Sequence, residues 1–390
     1  KRNKLRYLTD MVISNKPLQF IIAILIACLP VFGLAQNHSE STPAHTETTA
    51  VAHEATTEVK DETSEIREQI KEVIAHHVLD GHEFSIFGDK ETGAHYGFPL
   101  PIILWDNGVH IFSSSKFHHG EAVAESNGNY YKLHHEKIYK TDAAGTLTEE
   151  HGHPTNAMPI DLSITKGVLT IMVVALLMFL LFTSLAKSYV KNGGISAGAG
   201  RFFEPIVLYI RDEIAIPNIG EKHYKKYMSY LLTIFFFVWF LNIFGLTPLG
   251  INVTGNIAIT FGLAEITFLI TNLTANKNYW GHIFWMPGVP VPMKIILAPI
   301  ELLGVFIKPF ALMIRLYANI FAGHVVLMSL IGLIFIFKSW LGSSLSLLLS
   351  FAISIIEILV ALLQAYIFTM LSALYFGSAV EEHHHEEAHH

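Results

Sequence analysis

From Lys166 onward the chain alternates long apolar runs with short polar joints. "GVLTIMVVALLMFLLFTSLA", Met228–Leu246 and Asn256–Leu273 are each long enough to predict a membrane helix. Between the first two lies "FFEPIVLYIRDEI", whose mixed character predicts an amphipathic helix at the interface. Residues 294–338 and 344–376 are apolar runs too long for one perpendicular crossing. At 1.5 Å per residue they make helices of about 66 Å and about 50 Å, against a hydrocarbon core of about 30 Å. They read as a strongly tilted helical hairpin, with Gly342 in its connection and with Pro299 and Pro309 able to kink the first arm.

Ahead of the membrane part the pattern changes. Residues 1–35 carry a basic start (Lys1, Arg2, Lys4, Arg6, Lys16) and the apolar run "FIIAILIACLPVFGLA", which predicts a signal peptide cleaved before Gln36; a retained membrane helix is the competing reading, and lipidation at Cys28 a weaker one. Residues 36–63 are polar and aperiodic, a disordered linker. From Ser64 to Val78 apolar residues recur at helical spacing. "FPLPIILWDNGVHIFSS" predicts two strands turning at Asn107-Gly108, and "NYYKLHHEKIYK" one more strand. Residues 64–162 thus form a small α+β domain, 163–380 the membrane domain and 381–390 a tail.

Composition sharpens this picture. Of 390 residues 51% are hydrophobic and only 15% charged, so this is a polytopic membrane protein, all-α within the bilayer: five membrane helices plus the interfacial one. The net charge of −7 is uneven: 21 acidic and 8 basic residues fall between Gln36 and Leu162. Nothing resembles a nucleic-acid surface. The connection 187–226 holds seven Lys and Arg residues and "TPLGINVTG" none, which places the former in the cytoplasm and the 64–162 domain outside. A lone cysteine forbids an internal disulfide. Fourteen of the 22 histidines lie in residues 36–162, among them His118-His119 and His134-His135, without metal-ligand spacing; they read as solvated.

The chemistry concentrates in the hairpin. Lys294, Glu301, Lys308 and Arg315 are spaced by seven, so each lags the last by about 20° on a straight helix and all share one stripe. Asn319 lies one turn beyond Arg315, and His324 roughly on the opposite side. Glu357 and Gln364 share a face of the second arm. An arginine at the centre of a membrane helix costs at least about 2.5–3.5 kcal/mol on insertion scales. It cannot deprotonate, so it serves as a permanent counter-charge that keeps a carboxylate ionised, while His324 and Glu357 can exchange protons. The arrangement predicts a proton path with a fixed barrier, and His324 and Glu357 as neighbours across the hairpin. Plainer roles exist: Lys294 and Lys308 as snorkelling bases, Asn319 as an interhelical bond, Glu301 paired with Lys308.

"PIELLGVFIKPFALMIRLYANIFAGH", "LLQAYIFTMLSALYF", "LTIFFFVWFLNIFGLTP" and "GNIAIT" resemble, in order and separation, the motifs of subunit a of F-type ATP synthases, over about residues 165–380. The resemblance implies a proton-channel stator without a catalytic site or cofactor of its own, in a bacterial inner membrane, with the c-subunit ring, peripheral-stalk b subunits and the rest of the complex as partners. It makes Arg315 the essential arginine facing the c-ring and Gln364 its neighbour. Asn256, Asn319, His324 and Glu357 would line the outer half-channel and Glu301 the cytoplasmic one. His324 and Glu357 stand in the swapped arrangement of the acid and histidine that some members have. Two features depart from the pattern: the large exported domain, and Glu265 within the third span. The alternatives are a proton-coupled transporter, for which no inverted repeat is visible, and a membrane-anchored metal-binding receptor.

Overall fold

The computed structural model describes residues 80–89, 94–150, 153–191, 198, 200–247, 252–286, 288–336 and 340–381. The expected signal peptide, linker, helix at 64–78 and all but the first residue of the tail lie outside the described residues.

The domain ahead of the membrane part is a set of small antiparallel sheets. β1 (Glu83–Asp89) pairs with β2 (Ala94–Pro99). β3 (Pro101–Trp105) and β4 (Val109–Ser113) form the expected hairpin, with Asn107 at φ 54° in its turn. A 3-10 turn over Ser114–Gly120 leads to β5 (Val123–Ser126), β6 (Asn129–His134) and β7 (Lys137–Thr141), a three-stranded meander. The single strand expected in "NYYKLHHEKIYK" is two strands. His135 and Glu136 turn between them, both at positive φ (47° and 60°), which polar residues without a branched Cβ tolerate in tight hairpins. β8 (Glu149–Glu150) pairs with β9 (His153–Pro154), and β10 (Ile160–Asp161) with β3. The core holds Ile102, Leu104, Phe112, Phe117, Ala124, Tyr131 and Ile138, the inward alternation of β3 to β7.

This domain is stapled to the first membrane helix, α1 (Lys166–Lys191). The Asp80 carboxylate accepts hydrogen bonds from the Gly167 amide (2.9 Å) and the Thr165 hydroxyl (2.8 Å), satisfying donors that a helix start leaves free. The Lys166 amide donates to the Gly81 carbonyl. Beside them His82 is buried, its Nε2 2.7 Å from Asp161 Oδ2. Burial opposes a charge on His82, but hydrogen bonds to Asp161 and Glu136 and their negative charges outweigh it and push the imidazole up to about 10.

In the membrane part α1 turns Val168, Ile171, Val174 and Met178 inward and leaves Met172, Val173, Leu176 and Leu180 exposed. The expected interfacial helix is α2 (Gly200–Tyr209), a π-helical turn over Ile210–Ala215, and the short α3 (Ile216–Ile219). It is more embedded than a surface helix: Val207, Ile210, Ile214 and Ile219 join the main core, and buried Arg211 is held by both carboxylate oxygens of Asp212 at 2.8 Å. α4 (Tyr224–Gly245) is the central rod, buried on nearly every face. α5 (Ile257–Leu273) begins at the Asn256 cap, and α6 (Lys277–Phe284) leaves it at 100°. α7 (Val291–Ile336) and α8 (Trp340–Val380) are the hairpin. α1, α4, α7 and α8 are each long and apolar enough to cross a membrane, and α5 with α6 makes a fifth candidate.

The hairpin departs from expectation in detail. Both arms are longer, about 69 Å and about 62 Å at 1.5 Å per residue. Pro299 and Pro309 lie inside an uninterrupted α7, and Gly342 lies inside α8 rather than in the connection.

Candidate functional site

The two arms pack by an inside-out logic. Over the first two thirds of α8 the buried residues are Ser346, Ser350, Glu357, Ala361, Gln364 and Ala365, while Leu345, Leu348, Phe351, Ile355, Ile358 and Leu362 are exposed. Small residues let the helices approach closely, and the polar ones find partners there rather than in hydrocarbon.

Two cross-hairpin pairs result. Asn319 on α7 donates through Nδ2 to Gln364 Oε1 on α8 at 2.9 Å, with Gln364 fully buried. His324 Nδ1 lies 3.2 Å from Glu357 Oε1, both groups within the interface. The opposite atoms of that second pair, His324 Nε2 and Glu357 Oε2, are buried and lack partners among the described residues. Each can therefore pass a proton to a third group or a water. Gly323 makes the pair possible: a Cβ there would lie 2.6 Å from Glu357 Oε1.

Arg315 is one turn before Asn319 on the exposed face of α7. Among the described residues it has no hydrogen bond or ion pair, and Gln364 is engaged by Asn319 instead. The stripe behind it resolves into separate contacts. Lys308 Nζ lies over the Tyr375 ring (5.8 Å) and Lys294 Nζ over the Trp285 ring (4.6 Å), cation–π contacts of long, snorkelling side chains. Glu301 is half-buried and forms no ion pair with Lys308, so that expected pairing is not made. Near Lys308, Thr267, Phe268, Thr271, Tyr279, Leu312 and Ser378 line a narrow crevice between α5, α6, α7 and α8 whose surface is mainly apolar.

Asn256, expected from the resemblance to line the outer half-channel, also caps a helix. Its side-chain oxygen accepts from the Ala258 amide (3.0 Å) and caps α5. The amides that lack partners nearby are others. Asn242 on α4 accepts from Thr254 (2.7 Å) and leaves its Nδ2 unpaired, and Asn252 Nδ2 is likewise unpaired. Ser350, seven residues before Glu357, has a buried hydroxyl without a partner among the described residues. Ser350 continues the spacing of Glu357 and Gln364, and that signal could have found it. Asn242, a lone polar residue in "FFFVWFLNIFG", was legible only as an exception to an apolar run.

The histidines of the β-rich domain are not all solvated. His82 and His110 are buried, and His110 contacts the Ser126 hydroxyl and the Asp106 carbonyl. Asp106 lies below the usual carboxylate range because Lys140 hydrogen-bonds to it, which outweighs its burial. Among the described residues no group of three or more His, Cys, Asp or Glu side chains is arranged to hold a metal ion.

Fold and site together define a polytopic membrane protein whose long helical hairpin shields a histidine–carboxylate pair and presents outward an arginine with no ion pair among the described residues. Residues 168–377 match the family described as ATP synthase A chain, and the chain belongs to that family. Similar proteins include the ATP synthase subunit a of Anaeromyxobacter sp. (strain Fw109-5), 39% identical over 265 residues, which are 65% of this chain and 64% of that protein. That of Chlorobium phaeobacteroides (strain BS1) is 38% identical over 325 residues, 74% of this chain and 94% of that protein. That of Myxococcus xanthus (strain DK1622) is 40% identical over 257 residues, 64% and 84% respectively. The match therefore spans just under two thirds of the Anaeromyxobacter protein. Residues 73–162, most of the β-rich domain, match a domain of unknown function (DUF8433).

Proposed function

We propose that this chain is the proton-conducting stator subunit of an F-type ATP synthase, working with a c-subunit ring, peripheral-stalk b subunits and the nucleotide-binding sector of that complex. The observation that carries the reading is Arg315: a permanent cation on the exposed face of a tilted arm, unpaired within the described residues. A charge so placed needs an anionic partner from another chain, and a ring carboxylate passing it supplies one. Beside Arg315 that carboxylate stays ionised, because an adjacent cation favours the charged form. A proton therefore has to leave before the arginine and rejoin after it, so protons cannot pass straight between two half-channels.

The outer half-channel runs along the cross-hairpin pairs. His324 and Glu357 accept and release protons, each with one buried polar atom free to hand on. Asn319 and Gln364 fix the hairpin one turn from Arg315. Asn256 stands at the mouth of this route, with Asn242 and Asn252 close in sequence and structure. The cytoplasmic half-channel follows Glu301 and the crevice at Lys308. The basic connection 187–226 is cytoplasmic and the β-rich domain faces outward across the inner membrane. The chain itself makes and breaks no covalent bond and binds no cofactor.

The test is Arg315→Ala in the whole complex reconstituted in vesicles. ATP-driven acidification should vanish while the complex still assembles, and passive proton leak through the membrane sector should rise. Normal pumping by that variant would refute the reading.

A further inference from the structure

No part of the proton path touches the outward face of the three-stranded β10–β3–β4 sheet. Ile160 of β10 stands beside Trp105 of β3, and Trp105 beside Val109 of β4. In the next row Leu162, whose amide donates to the Ile103 carbonyl (2.9 Å), stands beside Ile103, and Ile103 beside Ile111. Side chains alternate across a strand, so the buried Ile102, Leu104, His110 and Asp161 point into the domain and these six point out. Ile103 is half-buried; Ile160 (57%), Trp105 (54%), Val109 (50%), Leu162 (43%) and Ile111 (67%) are exposed. All six are apolar, in a stretch of the chain, 36–162, that carries 21 acidic and 8 basic residues. A contiguous apolar patch left open in so charged a segment marks contact with a protein or a membrane.

What covers the patch follows from where the sheet stands. Leu162 is four residues before Lys166, the first residue of α1, so it lies within about 13 Å of that helix at about 3.3 Å per residue. The 26 residues of α1 make about 39 Å of helix against a hydrocarbon core of about 30 Å, so its first turn reaches the headgroup layer. The outward row also runs on into the membrane part: Ile164, two residues past Leu162, packs against the membrane core, as does Phe84 of β1. Trp105 supplies the amphipathic aromatic that membrane interfaces favour. Two other occupants fit less well. Segment 64–79 of this chain reaches the domain from the opposite side of the sheet, because His82 bonds to Asp161, which points inward from between Ile160 and Leu162. A second copy would need a larger surface. The six residues span about 10 Å across the strands and about 7 Å along them, roughly a few hundred Å² with their side chains, against about 800 Å² per partner in a stable dimer.

We propose that the Trp105 face of this sheet rests on the lipid bilayer, with its six side chains in the interfacial layer of the leaflet that α1 enters. With no charge on the face, the contact is made to the glycerol and upper acyl-chain region rather than to charged headgroups. The β-rich domain is then held to the membrane at two points, the staple on α1 and this face.

The experiment is photo-crosslinking of the full chain in its native membranes, with p-benzoylphenylalanine replacing Trp105, Ile111 or, as a control, the exposed Glu149 of β8. Mass spectrometry should find phospholipid adducts at positions 105 and 111 and none at 149. In parallel, Val109→Glu combined with Ile111→Glu should lower the lipid adduct at position 105 about tenfold or more, since each change removes apolar area from the contact and sets a charge in it. Both positions are exposed, so the domain core is untouched. High salt should leave the parent's adduct unchanged, because no charged side chain makes the contact. Adducts to a second copy, to another protein or to residues 64–79 overturn the proposal. So do equal lipid yields at positions 105 and 149, including none at either, an undiminished adduct in the double variant, or one that salt abolishes.

Discussion

Gly323→Ala separates the proton-handling pair from the fold that holds it. The added Cβ would stand 2.6 Å from Glu357 Oε1 and 3.2 Å from its carboxyl carbon. Comfortable contact begins near about 3.5 Å, so the carboxylate must retreat by roughly 0.8 Å. The obstacle is the end of a flexible side chain, not backbone, so the helices need not part. The His324–Glu357 contact is already 3.2 Å long, and a retreat of that size carries it beyond the hydrogen-bonding limit. A hydrogen bond involving a charged group is worth about 1.5–3 kcal/mol, or roughly ten- to a hundredfold in a rate that depends on it. Meanwhile alanine favours the helix by about 1 kcal/mol over glycine. The expected outcome is an assembled complex of unchanged or higher thermal stability whose ATP-driven proton pumping in vesicles falls ten- to a hundredfold. Pumping within twofold of the parent would refute the claim that this carboxylate's position matters.

Other outcomes follow from the same geometry. Asn319→Leu strips buried Gln364 Oε1 of its donor among the described residues, and should cost about 1–3 kcal/mol of stability by thermal unfolding; a Gln364→Leu change added to it should restore much of that loss. Gly377→Ala drives a methyl into the Asn218 carbonyl, which is backbone and cannot yield, so little folded protein should accumulate in membranes, whereas Gly304→Ala, with open space around it, should accumulate normally. The seat of the β-rich domain on α1 should loosen in alkali. His82 is raised from 6.5 to about 10 in the fold, so its contribution is complete below about pH 6.5 and is lost as pH climbs towards 10. Limited proteolysis ahead of α1 between pH 7 and 10.5 should show that loss, and His82→Ala should be susceptible throughout.

Much of the membrane architecture was legible because it depends on local quantities. Apolar run length against bilayer thickness identifies the spans, and seven-residue spacing identifies the stripe from Lys294 to Arg315. Where local rules failed, tertiary forces had prevailed. "NYYKLHHEKIYK" has no Gly or Asn in its middle to mark a turn, yet it folds as a hairpin at His135-Glu136, where the Glu136 carboxylate accepts from the His82 amide. Pro299 and Pro309 do not break α7, since each removes only one backbone bond from a long rod. Asn256 read as a channel residue from resemblance and turns out to serve also as a helix cap.

The sequence by itself determined the kind of molecule: which segments cross the bilayer, that the last two form an overlong hairpin, and that one arm carries a permanent cation with a histidine and an acid within reach. Periodicity speaks only of positions on one helix. It does not say how that helix is rotated against its neighbours, least of all for rods such as α7 and α8 that are apolar nearly all round. Only the tertiary structure decided that Asn319 meets Gln364 rather than leaving it to Arg315, and that Glu301 and Lys308 stay apart. It also left Glu265 half-buried, with no hydrogen bond or ion pair among the described residues. Those outcomes depend on close helix approach at Gly323, Ala361 and Ala365, a packing fit between residues far apart in the chain.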